Sequence, residues 1–377
     1  MSTRIVILGA GFGGLELATR LSESHADEVQ VTLIDRSDAF SFGFSKLAVM
    51  FGQSSLEEVR LPYSRISKPS VEFRHEAVTA VDPEARRVET DGGAYEADIL
   101  VIAMGASYDI DATPGFREHG LEYYSVEGAD RMRGAIESFE SGRIVISILS
   151  QPFKCPPAPF EAAMLLHDHF QGRGIRDQVE IRVLGPMAAP VPITSQVSAA
   201  FLEALSERGV PYVPRQRVVS VGGDGLAVAE DGTEYPFDMF IGIPVHRAPR
   251  VLAGSGLLDE SGWIAVDKHN LRTEFDGVYA LGDVAGTPNP KAGVFAEAAA
   301  ISVAEDIAAQ LGGGEPAHPF HGQGHCYLEF GGGRVAKVEV DFFGGPKPTA
   351  NLVGPSEDYA ADKREFEATR IERWFGG

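Results

Sequence analysis

Two cysteines, Cys155 and Cys326, are the only thiols in the 377-residue chain. Cys155 follows Lys154 and stands just ahead of an apolar run that reads as a helix from Ala158. A neighbouring ammonium and a helix N-terminus both favour thiolate over thiol, and thiolate is the nucleophilic form. Cys326 lies 171 residues further on, so spacing alone does not bring the two sulfurs together, and burial as inert core residues stays open for both. Glu161 and Glu297, each near a helix start, are proton carriers if an apolar pocket raises their pKa. The plain alternative is a carboxylate that only meets the helix dipole. His167 and His169 do not read as metal ligands, because positions i and i+2 of a helix face apart.

A second set of residues points to a dinucleotide. Gly9-Ala-Gly11-Phe-Gly-Gly14 follows an apolar strand and opens a helix. Glycines at that spacing make the tight turn and let a pyrophosphate approach the backbone at the helix N-terminus. Asp35 closes the next predicted strand 21 residues after Gly14, where a carboxylate accepts hydrogen bonds from an adenosine ribose.

The elements that carry these residues read as α/β. Short β-branched runs at Arg4–Leu8, Val29–Ile34, Ile99–Ala103, Arg143–Leu149 and Glu180–Leu184 alternate with helical patterns at Leu15–Glu23 and Ala158–Phe170, which predicts parallel sheets flanked by helices. After Gly312 a glycine- and proline-rich stretch leads to Cys326–Phe330, Gly331–Gly333 and Arg334–Phe342, a predicted hairpin, and then to helical spacing over 357–375. There is no internal sequence repeat.

Composition narrows the partners. With 33 Lys+Arg against 54 Asp+Glu the net charge is −21, a surface that repels nucleic acid and anionic lipid. Two cysteines are too few for a secreted disulfide framework. Glycines interrupt the apolar start, so it does not read as a signal peptide, and no run of apolar residues is long enough to span a membrane. The expected compartment is the cytoplasm, with membrane attachment peripheral at most.

Two further segments, Asp98-Ile-Leu-Val-Ile-Ala-Met-Gly105 and Thr273-Glu-Phe-Asp-Gly-Val-Tyr-Ala-Leu-Gly282-Asp283, resemble the crossover and the flavin motif of two-dinucleotide-domain flavoproteins. The resemblance narrows to sulfide:quinone oxidoreductases and the flavin subunit of flavocytochrome c sulfide dehydrogenase. It rests on Phe42-Gly-Phe-Ser-Lys46, Lys154-Cys-Pro-Pro-Ala-Pro-Phe-Glu161, Pro290-Lys-Ala-Gly-Val-Phe-Ala-Glu297, Cys326-Tyr327 and Arg373-Trp-Phe-Gly376. It implies a glutathione-reductase-like fold: an FAD domain from 1–106 and 245–312, a second Rossmann-like domain over 107–244, and a small α+β unit over 313–377. It implies that Gly9, Gly11, Gly14, Asp35, Gly105, Gly282 and Asp283 hold FAD, with Lys291 at the pyrimidine side of the flavin ring. It further implies that Cys155 and Cys326 form a disulfide or polysulfide bridge, that sulfide attacks it, and that two electrons reach FAD. Quinone-like acceptors and a homodimer are compatible with the resemblance.

The chain departs from NADH-using flavoproteins. Where a second glycine fingerprint would stand it reads Ser150-Gln-Pro-Phe-Lys-Cys-Pro-Pro, and proline removes amide donors. The next strand ends Val183-Leu-Gly185-Pro186, without a carboxylate. No cysteine is left over for a thioether, so the FAD is expected to be non-covalent. Competing readings are an NAD(P)H:acceptor oxidoreductase on the same fold and a non-catalytic, redox-responsive flavin module. Tyr359, Phe366, Trp374 and Phe375 could form an anchor or a quinone lip, but Glu365, Glu367 and Glu372 deny the helix a basic face, which favours packing on the core.

Overall fold

The computed structural model describes residues 2–192, 194–312 and 318–376. The apolar runs become the centres of two parallel sheets. In the first, Val278–Ala280, Ile99–Ile102, Thr3–Leu8, Val29–Asp35 and Val71–His75 lie side by side in that order. Ile5, Ile7, Leu8 and Leu100 are inaccessible to solvent. Parallel strands covered on both faces read as continuous apolar runs rather than alternating ones, as here. The glycine-led helix Phe12–His25 packs beside Gly293–Gly312.

The second sheet has the order Tyr212–Pro214, Val179–Gly185, Gly142–Ile148, Met239–Ile243, with helix Ala158–Gly172 laid against it. Each sheet is accompanied by a three-stranded antiparallel unit, Val78–Asp82 to Ala94–Glu96 in one case and Val218–Val221 to Glu234–Pro236 in the other. The two halves thus repeat one Rossmann-like architecture without a sequence repeat, because apolar periodicity and turn positions fix such a fold while residue identities drift. The chain crosses between the sheets twice, and the crossings Ser107–Asp109 and Val245–Arg247 pair antiparallel with Tyr108 opposite His246.

The C-terminal unit is a sheet of Gly324–Glu329, Val335–Asp341 and Thr349–Ser356 followed by helix Asp358–Phe375. Most of the glycine-proline link leading into it, residues 313–317, lies outside the described residues. The hairpin was legible in sequence; the third strand was not. Its residues are largely exposed and include Gly354 and Pro355, a composition tolerated only at a sheet edge.

The terminal helix is bolted to the first helix. Glu16 is 1% exposed, and a buried carboxylate is tolerable only when paired. It accepts from Arg20 at 2.6 Å, Arg373 at 3.0 Å and the Trp374 indole at 2.8 Å. Trp374 and Phe375 are buried with Phe366, so this helix packs on the core. Among the described residues no helix is long and apolar enough to cross a membrane.

Candidate active site

The glycine turn sits at the carboxyl end of the central strand, where α/β sheets bind ligands. A Cβ at Gly14 would lie 1.9 Å from the Gly9 carbonyl oxygen, so the turn demands glycine there, whereas one at Gly11 would meet nothing within 4 Å. Gly11 therefore leaves bare backbone open to a phosphate. Asp35 closes the turn from the next strand, accepting the Ala10 N–H at 2.8 Å, and Tyr63 donates its hydroxyl to the Ala10 carbonyl at 2.7 Å.

Two cavities of about 370 and 730 Å³ share Gly9, Asp35, Met104 and Tyr108 as walls. They fall within the usual size of ligand sites. The open backbone at Gly11 and the paired cavities fit an extended dinucleotide. The smaller cavity is also lined by Gly11, Gly105, Gly282, Asp283 and both cysteines.

Both thiols are free and partly accessible. Cys155 comes from the loop after Gly142–Ile148, where the second fingerprint is missing. Its φ of +49° is left-handed, a conformation that costs a non-glycine residue about 1–2 kcal/mol. Two bonds hold it: the Cys155 N–H donates to the Lys291 carbonyl at 2.8 Å, and the Cys155 carbonyl accepts from Ala158 at 2.9 Å. Cys326 arrives from the strand Gly324–Glu329 of the C-terminal unit.

The expected low thiol pKa is overturned. Burial, followed by Glu161 and Cys326, pushes the Cys155 thiol well above its ordinary value. The Ala158 N–H acts in the expected direction but is outweighed. Lys154 does not counter this, because its ammonium donates to the Ala106 carbonyl at 3.1 Å and lies 3.7 Å from the Asp283 carboxylate. Burial and Glu161 push Cys326 up to about 12. The same burial raises Glu161 to about 7, against the pull of Lys363 and of the Glu329 N–H, which it accepts at 2.8 Å.

Lys291 and Glu297 are placed differently from the expectation. Lys291 does not line either cavity; its ammonium donates to the Asp283 carbonyl at 2.5 Å and lies 3.4 Å from the Trp263 ring centre. It fixes the Asp283 turn from behind, and Lys154 is the lysine that lines the cavity beside that carboxylate. Glu297 pairs with Arg370 at 3.1 Å and helps dock the terminal helix. The residues sequence reasoning passed over are Tyr123 and Tyr124, which line the cavity wall, and Lys363, which pairs with Glu329 at 2.5 Å. Their positions carry no motif; only the fold brings them in.

A family model described as pyridine nucleotide-disulphide oxidoreductase matches residues 3–146 and 159–301. The chain is 25% identical over 363 residues to the mitochondrial sulfide:quinone oxidoreductase of Mus musculus, covering 92% of this chain and 79% of that protein. It is 26% identical over 302 residues to a type II NADH:quinone oxidoreductase of Staphylococcus aureus, covering 74% of each. In fold it is similar to the X-ray structure of the sulfide:quinone oxidoreductase from the hyperthermophilic bacterium Aquifex aeolicus, with a TM-score of 0.88, 21% identity, and 100% of this chain and 92% of that one covered.

Proposed function

The chain belongs to the pyridine nucleotide-disulphide oxidoreductase family, and from that premise we propose an FAD enzyme that oxidises sulfide, or a small persulfide or thiol, at Cys155 and Cys326 and passes two electrons to a quinone-like acceptor. The observation that carries this reading is that both thiols line the same cavity as Gly11, Gly105, Gly282 and Asp283. FAD, when bound, takes up two electrons and hands them on.

The protein's own residues do the rest. The Gly9–Gly14 turn would hold the pyrophosphate, Asp35 the ribose hydroxyls, and Asp283, its backbone carbonyl braced by Lys291, a hydroxyl of the ribityl chain. With the two cysteines joined through sulfur, hydrosulfide attacks one of them: RS–SR′ + HS⁻ gives RSSH + R′S⁻. One S–S bond forms as another breaks, and the electron pair leaves on the second cysteine. Glu161, whose carboxyl is raised to about 7, exchanges the proton at the sulfur near neutrality. Phe42, Phe44, Tyr327 and Phe366 give the cavity an aromatic wall suited to a flat quinone-like acceptor.

The likeness to a type II NADH:quinone oxidoreductase keeps a second reading open, with a nicotinamide as donor. Against it, the loop that would bind that cofactor is occupied by Lys154, Cys155 and prolines. An anaerobic titration separates the two: sulfide bleaches the flavin absorbance under the proposal, whereas bleaching by NADH but not by sulfide would replace it.

A further inference from the structure

Tyr123 lines the cavity that holds Cys155, Glu161 and Cys326. It is 3% exposed, and its hydroxyl is sealed from solvent with no hydrogen-bond partner among the described residues. Its neighbour Tyr124 differs, donating to the Lys154 carbonyl at 2.9 Å. A buried orphan hydroxyl costs about 1–3 kcal/mol, and one in the wall of a reactive cavity has a use if a guest completes it.

The surroundings define that guest. The Tyr123 phenol lies within electrostatic reach of Glu161, Cys155 and Glu122, and the Cys155 thiol within reach of Glu161, Cys326 and Lys363. Every one of these groups except Lys363 is neutral or acidic. Lys363 is engaged by Glu329, and Lys154 by Asp283 and Ala106. Lys46, the other lysine in this cavity wall, donates to the Tyr124 carbonyl at 2.6 Å, so the thiolate or hydropersulfide anion that the sulfur chemistry generates meets, among the described residues, only cations that already hold a partner. Burial, then Glu161 and Cys155, hold the Tyr123 phenol well above its ordinary pKa, so it remains a donor throughout the working range. A fixed donor in the wall of the cavity can stabilise charge that develops within it.

We propose that Tyr123 is a sulfur-binding residue of this site, its hydroxyl donating to the anionic sulfur formed at Cys155 and Cys326. The inference rests on the sulfur-relay reading and adds the group that would stabilise its anion.

The test is the pH profile of thiol alkylation by iodoacetamide in the holoprotein, reduced anaerobically so that both cysteines are free, for the parent chain and Tyr123→Phe, with FAD content and thermal midpoint measured alongside. Because the hydroxyl has no partner among the described residues, Tyr123→Phe is expected to fold, hold FAD and be at least as heat-stable. Its alkylation profile is expected to move to higher pH by about one unit, roughly tenfold slower below the midpoint. Superimposable profiles would overturn the assignment. Loss of fold or of thermal stability would also overturn it, by revealing that the hydroxyl is bonded within the protein. The sulfur-relay reading fails by a separate sign: sulfide bleaching of the flavin that persists at the parent rate in Cys155→Ser.

Discussion

The Cys155 N–H donates to the Lys291 carbonyl at 2.8 Å, and this one bond ties the thiol loop of the second sheet to the segment that begins helix Gly293–Gly312 of the first. The loop lies where related folds cradle a nicotinamide dinucleotide; here it presents a sulfur instead. The Lys291 side chain meanwhile braces the Asp283 carbonyl, so one residue connects the thiol loop with the turn whose carboxylate lines the cavity.

The two lysines should therefore separate experimentally. Lys291→Met leaves the Asp283 carbonyl unpaired and removes the cation from Trp263, and is expected to cost on the order of 1–3 kcal/mol in unfolding free energy together with weaker FAD retention. Lys154→Met removes a charge beside the cavity and is expected to lower the flavin midpoint potential, with a stability cost from the unpaired Ala106 carbonyl and Asp283 carboxylate that bound FAD does not remove. Reductive titration and thermal unfolding of both variants check the division.

Which lysine faces the site was not legible in sequence. Both flank a predicted helix start, and the choice is made by Trp263, distant in sequence, whose ring draws Lys291 away. Glu161 and Glu297 pose the same problem: each enters a helix near its first turn, but one helix sets its carboxylate in the wall of the cavity that both thiols line and the other sets it against Arg370. By contrast Gly9, Gly11, Gly14 and Asp35 were readable, because a nucleotide turn is built from contiguous residues whose backbone demands are local. Long-range convergence, such as that of Cys155 with Cys326 or the placing of Tyr123, is decided by packing and leaves no spacing to read.

Glu161 gives a pH signature with a definite sign. Its folded pKa of about 7 lies above the value of a free glutamate, so the folded state binds this proton more tightly. The associated stability is present below the unfolded pKa and is lost as pH rises through about 7. Glu161→Gln, which still accepts the Glu329 N–H, is expected to flatten this dependence and to be more stable than the parent at pH 8, by up to roughly 3 kcal/mol. Denaturant unfolding across pH 5–9 measures it; sulfide-dependent reduction should slow in the same variant because its proton carrier is gone.

Arg373→Ala tests the terminal latch. It removes one of three donors from the buried Glu16 carboxylate and leaves Arg20 and the Trp374 indole in place, so it is expected to destabilise the protein by about 1–3 kcal/mol, the cost of a lost hydrogen bond to a charged group. Limited proteolysis should then cut first within 357–375. An unchanged unfolding midpoint would mean the helix is not held this way.

Proline in place of amide donors after Gly142–Ile148 sets an expectation for nicotinamide. NADH and NADPH should reduce the flavin far below ordinary turnover rates of about 1–1000 per second. Stopped-flow absorbance with each cofactor decides it, and fast bleaching would favour the alternative donor.

The central claim is that Cys155 and Cys326 together carry electrons from sulfide to the flavin. Its most direct measurement is the anaerobic flavin spectrum after sulfide addition to the parent chain, Cys155→Ser and Cys326→Ser, with FAD content fixed by acid release. The expected result is bleaching in the parent only, with both variants retaining releasable FAD, because each loses one sulfur of a two-sulfur relay. Bleaching at the parent rate in either variant would contradict the account.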